Sequence, residues 1–118
     1  NCVASARGLA GFYARLTGQT GEPLLKPETL KKATKICRWE GDPIPDDPKS
    51  RWVVFGLGYV LYGPGNDLGQ IFGQGGLGGS EAIVDVKNRI AVGYTCSDDN
   101  NPHNLRPAIY KIIGLKVR

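Results

Sequence analysis

The chain has 118 residues and a formal net charge of +4, the size of one ordinary domain with a weak basic excess. Hydrophobic residues make up 41% and charged residues 22%, which excludes a disordered chain, and no apolar run is long enough for a transmembrane helix. The three cysteines lack the paired spacing of a disulfide scaffold or a zinc site. We therefore expect one folded unit with no metal and no other cofactor.

The first third of the chain predicts two helices. Ser5 is a suitable N-terminal cap for the first helix, and Gly18 is suited to end it. Between them, apolar residues recur at the spacing of one helix face: Leu9, Phe12, Tyr13 and Leu16. A second helix is predicted from Pro27 to about Lys35. Its lysines are typical of a solvated helix face, so we expect no nucleic-acid partner.

The middle of the chain predicts strands. Residues 40–50 hold three prolines and four acidic residues and predict a surface loop. Residues 52–62, rich in Val, Phe and Tyr, predict one strand with a kink at Gly56 and Gly58. A turn at 64–67 and extended structure over 70–73 follow.

Residues 80–86 and 89–96 predict two more strands, joined by a tight hairpin in which Asn88 takes a positive φ. After a polar loop at 97–104, a closing helix is predicted, with Pro107 in its first turn. Its apolar residues recur at helical spacing: Leu105, Ile109, Ile112 and Ile113. The order of elements predicts an α+β fold, an antiparallel sheet of three to four strands with flanking helices.

Ten of the 17 glycines fall between Gly56 and Gly79. Within them, Gly73-x-Gly75-x-x-Gly78 has the glycine spacing of a dinucleotide-binding loop, which requires a following helix. The residues that follow alternate like a strand, which argues against a dinucleotide. Two interpretations stay open: a bulge or tight bend, or a strand edge stripped of side chains so that a substrate approaches its backbone. The second interpretation predicts that Gly75, Gly76 and Gly78 line a cleft and that their backbone is accessible there.

A complete catalytic set is absent from the sequence. None of the four serines, at positions 5, 50, 80 and 97, has Lys three residues later or lies in a Gly-x-Ser-x-Gly elbow. The single histidine, His103, lies in a polar run and is predicted to be a solvated loop residue. We therefore expect no hydrolase activity from this chain by itself.

Four stretches, in order, resemble one family. They read SARGLAGFY at 5–13, LLKPETL at 24–30, FGLGY at 55–59 and IFGQGGLGGS at 71–80. These are similar to SARDLARFY, LLSPETL, YGLGW and Phe-Gly-His-Gly-Gly-x-Gly-Gly-Ser of the serine β-lactamase-related family. That family includes class C β-lactamases, D-Ala-D-Ala carboxypeptidases, esterases of the same fold and animal β-lactamase-domain proteins. The resemblance implies that residues 1–118 are a single segment, the C-terminal part of a β-lactamase/transpeptidase-like domain.

In that family, the serine of a Ser-x-x-Lys motif is acylated, while its lysine and the tyrosine of a Tyr-x-Asn motif handle protons. Neither motif occurs here. The third motif, Lys-Thr-Gly or a His-Gly-Gly-like variant on the strand bordering the site, maps to Gln74, Gly75 and Gly76. The backbone amide of Leu77 then contributes to the oxyanion hole. Gln74 departs from the usual Lys or His and removes a titratable or cationic group next to the substrate. This argues against β-lactamase activity and leaves an esterase, an amidase or an inactive relative.

The chain contains no Met and opens Asn-Cys-Val-Ala, which predicts a processed product or the C-terminal part of a longer chain. The expected partners are then the N-terminal part of the same protein and a small ester or amide substrate. An uncovered sheet edge would favour a homodimer of the segment. The alternative is a non-catalytic descendant used for binding or scaffolding. The lack of a signal peptide favours the cytoplasm or mitochondrion without deciding the compartment.

Overall fold

The sheet is an antiparallel meander in which each strand pairs with the next along the chain. The computed structural model describes residues 3–37, 54–63, 68–76, 78–97 and 105–117. Its elements are α1 (Ala6–Leu16), α2 (Pro27–Ala33), β1 (Val54–Phe55), β2 (Val60–Tyr62), β3 (Ile71–Gly75), β4 (Glu81–Asp85), β5 (Ile90–Tyr94) and α3 (Arg106–Ile112). The α+β class is confirmed, with five strands instead of the predicted three to four.

Helix α1 begins and ends where its sequence predicts. The Ser5 hydroxyl accepts the N–H of Gly8 at 3.1 Å. At the other end, Gly18 adopts φ 69°, and the N–H groups of Gly18 and Gln19 donate to the carbonyls of Arg15 and Ala14. This glycine-based ending satisfies carbonyls that the helix itself leaves open, and only a residue without Cβ adopts it at no steric cost.

The additional strand comes from the segment that was predicted as one kinked strand, residues 52–62. That prediction is wrong: Val54–Phe55 and Val60–Tyr62 pair with each other as a hairpin. The N–H of Gly56 donates to the carbonyl of Tyr59 at 2.9 Å, and Gly58 lies at φ 83°. The glycines reverse the chain instead of bending it, because Gly58 takes a left-handed conformation that other residues rarely adopt.

The hairpin between β4 and β5 is confirmed, but the residue with positive φ is Arg89, at φ 57°, not Asn88. The Asp85 carboxylate accepts both the backbone N–H of Asn88, at 2.9 Å, and its side-chain Nδ2, at 2.7 Å. Held at these two points, Asn88 keeps an ordinary conformation, and the left-handed residue of the turn moves one place along the chain.

Each face of the sheet carries its own core. Helix α1 covers one face, whose buried residues are Tyr13, Leu16, Leu61, Phe72, Ala82 and Val84. The segment around α3 covers the other, through Ile71, Ile83 and Leu115 with Tyr62, Val92, Tyr110 and Val117 packed against them. The period-2 alternation of β4 explains this division, since successive side chains point to opposite faces.

Several predicted features lie outside the described residues. They are the loop at 40–50, the turn at 64–67, His103 and most of the polar loop at 97–104. In the part of the chain that is described, no helix is both long and apolar enough to cross a membrane.

Candidate functional site

The predicted third motif lies at the end of β3. Gln74 follows the buried Phe72 by two residues, so its side chain points to the α1 face, where it is exposed. Its Nε2 donates to the carbonyl of Gly75 at 3.1 Å. Gly75, the last residue of β3, pairs with Glu81 of β4. Leu77 lies outside the described residues.

The glycines after β3 form the turn that leads into β4. The N–H of Gly76 donates to the carbonyl of Ser80 at 2.8 Å, and the N–H of Gly79 donates to the carbonyl of Gly76 at 3.0 Å. Gly79 takes φ 82°. A strand therefore follows the glycines, as the alternation predicted, and no helix N-terminus is available there for a pyrophosphate.

The end of β3 is open to solvent. Gly76 is exposed, and Gly75 and Gly78 are half-buried. A Cβ built at Gly76 would have the Ser80 carbonyl oxygen as its nearest neighbour, at 3.7 Å, and one at Gly75 would lie 3.5 Å from Glu81 Oε1. These are ordinary van der Waals distances. Crowding therefore does not require glycine at either position.

A buried carboxylate lies beside this strand end. Glu81 keeps only 8% of its surface exposed. Its Oε1 accepts the hydroxyl of Tyr62 at 3.0 Å. Its Oε2 accepts the hydroxyl of Tyr110 at 2.5 Å and Nη1 of Arg106 at 3.0 Å. We call these four residues the Glu81 cluster. It joins β2, β4 and α3 next to Gly75.

The two tyrosines of the Glu81 cluster serve as hydrogen-bond donors. Burial is the main cause that raises the pKa of Tyr62 well above its usual value, and the charge of Glu81 and their hydrogen bond add to it. The pKa of Tyr110 is also raised well above its usual value, first by burial, then by the hydrogen bond to Glu81 and its charge. Both phenols therefore keep their protons at neutral pH and do not act as bases.

Among the described serines, the hydroxyls of Ser5 and Ser80 form hydrogen bonds with backbone groups. Ser5 caps α1. Ser80 accepts the N–H of Cys96 at 3.1 Å and donates to its carbonyl at 3.4 Å. Ser50 lies outside the described residues. The site as described offers backbone groups and hydrogen-bond donors, and no serine in it is hydrogen-bonded to a base.

A pocket of about 420 Å³ opens beside the Glu81 cluster, with Leu115 and Val117 on its apolar side. A larger pocket of about 590 Å³ lies at the other end of the sheet, around Asp85 and Asn88. Neither is lined by Gln74, Gly75 or Gly76. Gly76 is exposed and Gly75 and Gly78 are half-buried, and the two pockets just described do not include them.

The Glu81 cluster was not predicted from the sequence. One signal was present: the alternation of β4 puts Glu81 on the same face as Ile83, and a carboxylate on a buried face needs partners. Its partners come from positions 62, 106 and 110, too far along the chain for any local pattern to join them. Within the described ranges, no group of His, Cys, Asp or Glu is arranged to hold a metal ion.

Comparison with models of protein families, with curated proteins and with solved structures gives no match.

Proposed function

We propose that this chain is the C-terminal segment of a β-lactamase-related serine hydrolase, which cleaves an ester or amide through an acyl-serine carried by an N-terminal part of the same protein. In this role, Gln74, Gly75 and Gly76 are the third motif, and the amide of Leu77 supplies one donor of the oxyanion hole. The observation that carries the proposal is the open end of β3. A Cβ at Gly75 or Gly76 would make only ordinary contacts, so crowding does not explain why these residues are glycines. They lie at a strand end where a substrate carbonyl can reach backbone groups.

The order of elements supports the same reading. The glycine strand β3 is followed by two antiparallel strands and a closing helix, the order that the resemblance implies for the C-terminal part of the family's domain. The chain's own contribution is then positioning: β3 presents backbone groups, and the Glu81 cluster holds β2, β4 and α3 together beside them.

The first test is hydrolysis by the chain alone and by the polypeptide from the complete reading frame. With a chromogenic lactam and a nitrophenyl ester as substrates, we expect no turnover from the 118-residue chain and ester or amide turnover from the longer polypeptide. Turnover by the short chain that one Ser→Ala change within it abolishes would contradict the proposal.

The second test changes the strand end in the longer polypeptide. Gly76→Ala and Gly76→Val should lower kcat/KM progressively as the side chain grows, while the free energy of unfolding stays nearly constant, because space is open at Gly76. Gly11→Ala is the matched control, since Gly11 is an exposed glycine of α1 with nothing within 4 Å of a Cβ. Unchanged kcat/KM in both Gly76 variants would remove β3 from the site.

A non-catalytic role in binding or scaffolding is the second candidate. Gln74 favours it, because an uncharged amide hydrogen-bonded to its own neighbour, the carbonyl of Gly75, replaces the Lys or His of the family's motif. The sequence upstream of this chain separates the two candidates. A Ser-x-x-Lys followed by a Tyr-x-Asn supports the hydrolase, and their absence supports the scaffold.

A further inference from the structure

Glu81 brings a negative charge close to the backbone of Gly75. The two residues lie opposite each other in the pairing of β3 with β4, and Glu81 Oε1 lies 3.5 Å from the position of a Cβ built on Gly75. Glu81 keeps only 8% of its surface exposed, so water and salt screen its charge weakly. The carboxylate therefore acts on any charge that develops at the end of β3.

Of the three described groups that donate to this carboxylate, only one is charged. Tyr62 and Tyr110 donate to Oε1 and Oε2 as neutral phenols. Arg106 forms an ion pair with the carboxylate, with Nη1 at 3.0 Å from Oε2. The phenols use the lone pairs of the carboxylate but leave its negative charge in place, so compensation of that charge depends on Arg106.

The proposed function puts a second negative charge at the same strand end. Hydrolysis through an acyl-serine passes through a tetrahedral intermediate whose oxygen carries a negative charge. The amide assigned to that oxygen belongs to Leu77, two positions after Gly75. Two peptide units span at most about 8 Å, which is within the roughly 10 Å over which even exposed charges interact in salt. An unpaired carboxylate at Glu81 would therefore oppose the reaction.

We propose that Arg106 enables the end of β3 to stabilise an oxyanion because it neutralises Glu81, a role that rests on the proposed function. Arg106 does not touch the substrate in this arrangement. It is a positioning residue that acts on the reaction through the charge of Glu81, while Tyr62 and Tyr110 hold the carboxylate where the ion pair forms.

A purely structural role of the Glu81 cluster, in which it only anchors α3 on the sheet, predicts a different response to substitution. Each lost contact then weakens the anchor, so a double substitution is at least as harmful as a single one. Charge compensation depends instead on the sum of two charges. Arg106→Gln leaves one negative charge beside Gly75, whereas Arg106→Gln combined with Glu81→Gln leaves none.

A double-substitution cycle in the polypeptide from the complete reading frame tests the proposal. With the nitrophenyl ester, Arg106→Gln should lower kcat/KM roughly tenfold or more, mainly through kcat, because the oxyanion forms only during the reaction. The double variant should return to within about threefold of the unsubstituted polypeptide. A double variant that is as slow as Arg106→Gln, or slower, would show that the pair serves the structure alone.

Two further variants decide the question if Arg106→Gln fails to fold. Arg106→Lys keeps the charge without the guanidinium geometry, so it should keep kcat/KM within about threefold. Glu81→Gln removes the negative charge, so it should not lower kcat/KM even though it lowers the free energy of unfolding. A roughly tenfold fall of kcat/KM in either variant, measured while the protein is still folded, would overturn the proposal.

Lys111→Gln is the matched control, because it removes one positive charge from the same helix at an exposed side chain. Solvent screens this charge, so kcat/KM should change by less than about twofold. Equal losses in Lys111→Gln and Arg106→Gln would assign the effect to the total charge of α3 and overturn the role of Glu81. Failure of the proposed function gives a different result: the unsubstituted longer polypeptide then turns over neither ester nor amide, and the role of Arg106 is refuted with it.

Discussion

At the scale of single residues, Glu81 shows how one buried carboxylate can connect three elements. It sits on β4, and it accepts hydrogen bonds from β2 through Tyr62 and from α3 through Tyr110 and Arg106. No buried side-chain nitrogen or oxygen among the described residues lacks a partner. The hydrogen bonds and the ion pair with Arg106 therefore offset the free-energy cost of burying the Glu81 carboxylate. Removing one of the partners would leave part of that cost uncompensated.

Replacing Glu81 by Gln should reduce the free energy of unfolding by about 1–3 kcal/mol. The amide keeps the size of the side chain but loses the charge, and its NH₂ group faces a hydroxyl or guanidinium that also donates. Urea denaturation measures the change. Glu22→Gln, at an exposed glutamate, is the control and should change stability by less than about 0.5 kcal/mol. Equal effects of the two substitutions would mean that the Glu81 cluster does not hold α3.

At the scale of elements, α1 is positioned on the sheet by a glycine. A Cβ built at Gly93 of β5 would overlap the carbonyl oxygen of Ala6 and approach the backbone N of Ala10 to 2.9 Å. Two backbones meet here, so no side chain can move aside. Helix α1 can therefore lie directly on β5 because Gly93 has no side chain.

Gly93→Ala should destabilise the chain by about 1–3 kcal/mol, because the helix has to shift to admit one methyl group. Gly11→Ala is the paired change within α1 itself, where a Cβ meets nothing within 4 Å. It should raise stability by up to about 1 kcal/mol through helix propensity. The urea midpoints of the two variants measure both changes in stability. An unchanged midpoint in Gly93→Ala would show that α1 does not contact β5 so closely.

At the scale of the whole molecule, tyrosines lie on both faces of the sheet: Tyr13 is buried on the α1 face, and Tyr62 and Tyr110 are half-buried on the α3 face. Burial, and then the charge of Tyr59, raise the pKa of Tyr13 to about 12 on the α1 face. Burial and the contact with Glu81 raise the pKa values of Tyr62 and Tyr110 on the α3 face. All three have a higher pKa folded than unfolded, so the folded chain holds more protons above the unfolded tyrosine pKa of about 10.

Stability should therefore be constant with respect to these groups below pH about 10 and fall as pH rises from about 10 to about 12 and beyond. Circular dichroism and tyrosinate absorbance, followed together along an alkaline titration, measure this. Loss of structure should accompany the ionisation of the buried tyrosines, and Tyr13→Phe should make the dependence on pH less steep. Full ionisation near pH about 10 with the structure intact would contradict the burial of these phenols.

The local sequence determined much of this fold. Helix α1 with Ser5 and Gly18 at its ends, α2 from Pro27, and the hairpin of β4 and β5 all lie where periodicity and turn chemistry predict them. The α+β class follows from their order. These features depend on residues within a few positions of one another, so short-range patterns in the sequence are enough to predict them.

The contacts between residues that are distant in the sequence were determined only by the tertiary structure. The pairing of Val54–Phe55 with Val60–Tyr62 turned a predicted single strand into two. Glu81 acquired Tyr62 and Tyr110, which are 19 and 29 positions away. The sequence pattern alone does not assign such partners. It indicates that a strand or a buried carboxylate needs a partner, but it does not identify the residue that provides it. The packing of α1 on one face of the sheet and of the segment around α3 on the other makes that choice.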